Sequence, residues 1–297
     1  MKRSLLVILL CLLTGCAGDQ GFPDGAAASQ RPAPVEGTDV TFFVAADAHL
    51  GAEGMEELNR RMIDHINRLP GTEYPAAIGG RVDRPRGVLF AGDTTDHGLP
   101  GEWKTFKQLY GLTGKEGLLR WPIFEGTGNH DRFLPLPEPV LWGVRQRHGG
   151  LRYSWNWDDL HLVCLDLYPS PGNIRWLRRD LAAVGTDTPV VIYFHYSILG
   201  PYSDFWKDRE KAAFAEAIRP YNAIGIFHGH YHGSYAYQWE GKPVFDIGSP
   251  RHATHRFLAV RVTDAAMTVA AWDWDLGQWD WSVRVPIKAS RDTGDEQ

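Results

Sequence analysis

The chain has 297 residues, 43% of them hydrophobic and 12% aromatic, with a formal net charge of −5. That composition is ample for one large core, or for one core with a small accessory layer. An acidic balance with no basic tract beyond the first three residues points away from nucleic acid as a partner.

Lys2 and Arg3 precede an apolar run over residues 5–13. The run is too short to span a bilayer and has the form of a secretory signal. It ends in LTGC, residues 13–16, which resembles the lipobox of bacterial lipoproteins, where cleavage leaves the Cys as a lipidated N-terminus. An ordinary signal peptide cut after another small residue is the alternative. The chain then divides into a lipoprotein signal over 1–16, a Gly-, Ala-, Pro- and Gln-rich tether over 17–38, and one domain over 39–297. The expected location is extracytoplasmic, anchored to a bacterial membrane through lipid on Cys16. Ala17 follows the Cys, and by resemblance to enterobacterial sorting this points to the outer membrane, or to the periplasmic face, if the source is Gram-negative. Loss of Lys2 and Arg3 moves the charge balance from −5 to −7. Cys164 is then the remaining domain cysteine, so an internal disulfide is excluded, and its apolar setting reads as a buried core thiol.

After the tether, apolar runs that end in polar residues recur. VTFFVAAD (40–47) reads as a strand closing on Asp47, and GVLFAGD (87–93) as one closing on Asp93. WPIFE (121–125) leads into GTGNHDR (126–132), a Gly- and Asn-rich turn. LHLVCLDL (160–167) and PVVIYFH (189–195) are further strands, the second closing on His195. AIGIFHGHYH (223–232) runs from a strand into a His cluster. Residues 173–184 place apolar side chains at 174, 177, 181 and 184, the spacing of an amphipathic helix. A second helix covers 207–220 and stops at Pro220. From 234 onward five short runs rich in aromatic and β-branched residues read as successive strands. Residues 51–86, partly helical, and 133–150 read as insertions near the site. The pattern predicts an α/β layered domain with mixed sheets, with its functional crevice at the strand ends.

In order, those ends carry Asp47-x-His49, Gly92-Asp93-x-x-Asp96, Gly128-Asn129-His130-Asp131, His195, and Gly229-His230-x-His232. This order resembles the calcineurin-like metallophosphoesterases, whose pattern is DxH, GD, GNH[DE], a lone H, then GHxH. The likeness covers residues 40 to about 250. It implies an α/β layered sandwich of two mixed sheets flanked by helices, and two metal ions, drawn from iron, manganese and zinc. Asp47, His49 and His232 are the implied ligands of the first, and Asn129, His195 and His230 of the second. Asp93 bridges them with a hydroxide that attacks phosphorus. His130 is then a general acid or phosphate contact, and Asp96 orients it. Asp131 is expected to tie the turn to nearby backbone.

Arg132, Arg251 and His252 are candidate phosphate or headgroup contacts. Asp166, His228 and His97 have no place in the pattern and read as structural. PYSDFW (201–206) offers aromatics that either edge a pocket or pack as an ordinary loop. A purple acid phosphatase has Tyr three residues after the Asp of its GD motif; here that place is Asp96, which argues against a tyrosinate-ligated centre. The expected activity is phosphoester hydrolysis, on monoesters or diesters. The alternative is a binding module of the same fold without catalysis. No obligate protein partner is evident.

Overall fold

The computed structural model describes residues 37–133, 138–252 and 254–287. The expected signal, Cys16 and the tether up to residue 36 lie outside the described residues. Among the described residues, no helix is long and apolar enough to cross a membrane.

In chain order the elements are β1 (Asp39–Ala45), α1 (Met55–Arg68), β2 (Val88–Phe90), α2 (Pro100–Tyr110), β3 (Ile123–Glu125), α3 (Pro139–His148), β4 (Arg152–Trp157) and β5 (Leu160–Leu165). Then follow α4 (Pro171–Val184), β6 (Val190–Phe194), α5 (Asp208–Ile218), β7 (Ala223–His228), β8 (Ser234–Trp239), β9 (Lys242–Ile247), β10 (Arg256–Thr263), β11 (Ala266–Asp273) and β12 (Gln278–Pro286). The strands form two six-stranded sheets, ordered β12-β11-β10-β1-β2-β3 and β4-β5-β6-β7-β9-β8. Both are mixed. β1, β2 and β3 run parallel while β10 joins β1 antiparallel. β5, β6, β7 and β9 run parallel, with β4 and β8 antiparallel at the edges.

Side chains of a strand alternate between its two faces, and β1 shows what that does here. Val40, Phe42 and Val44 point into the space between the sheets, where they meet Leu162, Val191 and Phe227. Phe43 and Ala45 point the other way, onto α1 and α2 through Met62, Ile63 and Phe106. β6 divides likewise: Val191 and Tyr193 face inward, and Ile192 and Phe194 pack under α4 and α5 against Leu177 and Phe214. The result is four layers, helix, sheet, sheet, helix, with three apolar seams. Strands buried on both faces read as unbroken apolar runs, which is why these were legible in the sequence.

The ladders do not stop at the strand ends. The Asp47 amide donates to Gly92 O at 3.0 Å, His49 N to Asp93 O at 3.0 Å, and Asp96 N to Leu50 O at 3.0 Å. The loops after β1 and β2 are thus cross-bonded backbone to backbone. Their side chains are presented from a rigid edge.

Candidate metal centre

Five chain segments deliver polar side chains to one place. Ligand atoms of Asp47, His49 and His232 lie within 4.8 Å of one another, as do those of Asp93, His195 and His230. Asp93 connects the groups: its Oδ2 is 3.2 Å from His195 Nε2 and 3.7 Å from His49 Nε2. Asn129 Oδ1 joins the second group, 3.0 Å from His195 Nε2. Asp47 Oδ1 lies 3.4 Å from His232 Nε2 and 3.9 Å from His195 Nδ1. All seven residues proposed from the sequence as ligands are therefore brought together.

The backbone fixes each carboxylate. His130 N donates to Asp93 Oδ1 at 2.8 Å, which leaves Oδ2 to the imidazoles. His230 N donates to both oxygens of Asp47, at 3.2 and 3.1 Å. Such close approach requires glycine at two positions. A Cβ on Gly128 would sit 2.0 Å from Asp93 Oδ1, and one on Gly229 would sit 2.5 Å from Asp47 Oδ2. Asp47, His49, Asp93, His230 and His232 themselves adopt positive φ, between 44° and 71°. L-residues avoid that region, and local strain of this kind collects at functional sites.

The electrostatics suit cations. His49 Nε2 and His232 Nε2 face each other at 3.1 Å; two neutral acceptors would repel, so a proton or a cation belongs between them. His230 Nε2 is buried and has no hydrogen-bond partner among the described residues, an arrangement that costs free energy unless the lone pair is used. Burial pulls His49 down to about 4, although Asp93 and Asp47 oppose it. Burial and the charge of His195 bring His230 down to about 3. Both are neutral donors of electron pairs at pH 7. For His195, burial lowers the pKa but the carboxylates of Asp93 and Asp47 outweigh it and carry it up to about 9. Its proton occupies the ground a cation would neutralise. Its Nδ1 is held by Ala91 O at 2.9 Å, so Nε2 is the nitrogen turned to the site. An orphaned imidazole nitrogen and opposed lone pairs, with carboxylates and an amide around them, fit metal binding.

His130 stands beside these residues, its ring 4.5 Å from that of His49. The structure refines the expectation that Asp96 orients it through its carboxylate. His130 Nδ1 lies 2.8 Å from the backbone oxygen of Asp96 and 3.6 Å from its Oδ1. The carboxylate turns elsewhere: Oδ1 is 2.9 Å from Arg251 Nη1 and 3.3 Å from His49 Nδ1, and Oδ2 is 3.2 Å from His97 Nδ1. Asp96 thus holds His130 by its carbonyl and His49 by its side chain.

Asp131 is buried and accepts five hydrogen bonds, from the amides of Thr94, Thr95 and Gly128 and the hydroxyls of Thr94 and Thr95. Burial and the nearby charge of Asp93 push its pKa up, and those donors pull against them. Asp131 ties the Asn129 turn to the loop after β2. Thr94 and Thr95 had no expected role; the GDTTD string offers their signal, two hydroxyls between two carboxylates.

Among the candidate substrate contacts, Arg251 reaches the site through Asp96. Arg132 is spoken for: Nη2 lies 2.8 Å from Asp166 Oδ1 and also bonds the Thr127 hydroxyl, while Nε donates to Gly128 O at 3.2 Å. Asp166, read as structural, anchors that arginine and Thr127. His252 is exposed, its ring 5.1 Å from that of His232. His228 is buried and bonds Tyr237 Oη at 2.8 Å. Cys164 is a buried free thiol.

Residues 40–234 match the Calcineurin-like phosphoesterase family. The chain is 23% identical over 161 residues to glycerophosphodiester phosphodiesterase GpdQ of Enterobacter lignolyticus, a match covering 50% of this chain and 55% of the relative. It is 25% identical over 210 residues to a probable cyclic nucleotide phosphodiesterase of Rhodococcus erythropolis, covering 67% of each. The chain thus spans from about half to two thirds of these relatives' lengths. In fold it resembles a dimetal phosphatase from Danio rerio, with a TM-score of 0.60 at 12% identity, over 84% of this chain and 99% of that one. The motif order, the sandwich of two mixed sheets and the family match agree, and the chain belongs to the calcineurin-like phosphoesterase family.

Proposed function

We propose that the chain is a metal-dependent phosphodiester hydrolase that acts outside the cytoplasm. The observation that carries the reading is the convergence of two His/Asp groups on a shared Asp93. In this proposal Asp47, His49 and His232 hold one ion, Asn129, His195 and His230 hold the other, and Asp93 serves both. Imidazole, carboxylate and amide donors suit iron, manganese or zinc. Bound there, ions would supply positive charge to the phosphoryl oxygens and would lower the pKa of a water enough for it to act as nucleophile at neutral pH.

The chain's own groups complete the reaction. The Nδ1–H of His130 donates to Asp96 O, which leaves Nε2 as the nitrogen that hands a proton to the departing ester oxygen. Proton transfer to a basic leaving group is where such an acid contributes most. Asp96 Oδ1 accepts from His49 Nδ1 and keeps the Nε2 lone pair of that ring turned toward Asp93.

The preference for a diester rests on charge. Arg132 and Arg251 already face the carboxylates of Asp166 and Asp96. A monoester brings nearly two negative charges and a diester brings one, so committed guanidiniums suit the diester. The names of the two curated relatives support the same choice. A binding module without catalysis is the second reading; the retained ligand set and His130 disfavour it.

The test is a chelated protein with metals added back, assayed on matched mono- and diesters. Diester hydrolysis that returns with metal and exceeds monoester hydrolysis is expected. No hydrolysis at any metal loading overturns the reading in favour of a binding module. The location rests on the signal-like residues 1–16. Cys16→Ser is expected to leave uncleaved precursor or to move the protein to another cell fraction. A freely soluble, unmodified mature wild-type protein rules the anchor out.

A further inference from the structure

The loop after β6 carries aromatics that the proposed reaction does not use. It closes around the outer side of His230. Phe205 stands edge to face with that ring at 4.7 Å and 77°, Tyr202 at 5.9 Å and 72°, and Tyr196 lies at 4.8 Å. Tyr196 is buried, and shielding His230 asks for no more than that. Yet Tyr202 is 56% exposed and Phe205 51% exposed. Large apolar side chains left bare beside a reaction site mark a binding surface more often than a packing accident.

The loop is built to hold them there. Trp206 is its buried anchor: the indole Nε1 donates to Ser197 O at 2.8 Å, and the ring packs against Phe194 and Phe214. Gly200 and Tyr202 both take positive φ, 87° and 62°. For Tyr that conformation is unfavourable, and its retention in a pinned loop argues for a use. The rings of Tyr202 and Phe205 meet at 68° with centroids 6.3 Å apart, forming an open corner. A planar ring placed in such a corner gains one stacked and one edge contact.

His230 belongs to the Asp93 group, whereas His130 lies beyond His49 at the other end of the centre. If His130 serves the leaving oxygen, the His230 end takes the substituent that stays on phosphorus. We propose that Tyr202 and Phe205 form a subsite for the retained organic group of the diester, and that they select a ring-bearing group, aryl or nucleobase, over a small polar alcohol. The proposal rests on the phosphodiester reading above.

The experiment keeps the leaving group constant and varies the retained one: methyl p-nitrophenyl phosphate against phenyl p-nitrophenyl phosphate. Wild-type protein is expected to favour phenyl in kcat/KM. In Tyr202→Ala/Phe205→Ala that preference falls about tenfold, the usual scale for loss of aromatic stacking. The loss falls mainly on KM, with metal content retained. Tyr202→Phe, which keeps the ring, holds the preference. A thymidine 5′-p-nitrophenyl phosphate arm distinguishes nucleobase from simple aryl, and selective turnover of either supports the subsite. A wild-type protein active on both diesters without a phenyl preference overturns the subsite alone. Wild-type protein inactive on both diesters but active on p-nitrophenyl phosphate overturns the diester reading and the subsite with it. An equal loss on both substrates in the double variant overturns the subsite, because the loop then merely supports His230. An unchanged preference with lost binding to anionic phospholipid vesicles also overturns it and makes the corner a membrane contact.

Discussion

Replacing Asp131 by Asn changes one buried atom and tests how the turn that carries Asn129 is held. Asp131 Oδ1 accepts from the Thr94 and Thr95 hydroxyls at 2.7 and 2.8 Å and from Thr95 N at 2.9 Å. Oδ2 accepts from Gly128 N at 2.8 Å and Thr94 N at 3.3 Å. An amide can place its oxygen on one of these sides. With the oxygen on the Oδ1 side, the NH2 faces two backbone N–H donors; with it on the Oδ2 side, Thr95 N loses its acceptor and both threonine hydroxyls must turn from donating to accepting. Each orphaned buried donor costs ~1–3 kcal/mol, so the variant is expected to lose about 2–6 kcal/mol. For a domain of this size each kcal/mol lowers Tm by about 2–4 °C, which gives a fall on the order of 10 °C. Calorimetry of the metal-free protein measures it without the contribution of bound ions. Because Asn129 and His130 sit on the same turn, metal content is expected to fall as well. A variant with wild-type Tm and full metal content would falsify the claim that this carboxylate holds the turn.

Asp93→Asn is expected to reduce both metals per chain, since Asp93 Oδ2 faces His49 and His195 alike; elemental analysis showing loss of one ion alone contradicts the shared role. His130→Ala is expected to lose ~10²–10⁴-fold on alkyl diesters and far less on nitrophenyl ones, with metal retained; equal losses make His130 an electrostatic contact. Asp96→Asn keeps the carbonyl that holds His130, so its loss should be similar on both substrate types; a leaving-group-dependent loss restores the carboxylate as the partner of His130. For pH, burial holds His65 below its usual 6.5, and its Nδ1 accepts from Trp272 Nε1 at 3.1 Å. Above 6.5 both folded and unfolded chains carry it neutral. As pH falls below 6.5 the unfolded chain binds the proton first, so stability is lost. Denaturation midpoints from pH 7.5 to 5 should fall less steeply in His65→Gln, and parallel curves would remove His65 from the account.

The sequence carried the strands best where both faces are buried, as in β1, β6 and β7, since an apolar run needs no register to be recognised. It carried α4 through its 3.6-residue spacing. α2 was missed because it opens on Pro100-Gly101, which reads as a turn, although Trp103, Phe106 and Leu109 are its buried face. β4 was missed because RYSWNW alternates polar and aromatic side chains on a half-buried edge strand. α3 lay inside a segment read as an insertion. At the site, residue types and order were enough to gather the proposed ligands. They were not enough to say which imidazole the Asp96 carboxylate meets. That depends on loop backbone that takes positive φ at Asp93, and single-residue turns of this kind have no periodicity to read.

The positive φ of Asp47, His49, Asp93, His230 and His232 has a consequence for anyone who tries to harden this protein. At each of these positions glycine would relax the backbone, so a search guided by fold stability alone will drift toward glycine at five of the seven proposed ligands. Selection for thermal tolerance without selection for turnover should therefore erase the proposed metal centre first and leave the sandwich standing. In a relative of this fold, glycine at those five places would be a readable scar of lost chemistry, visible in a sequence before any assay is run.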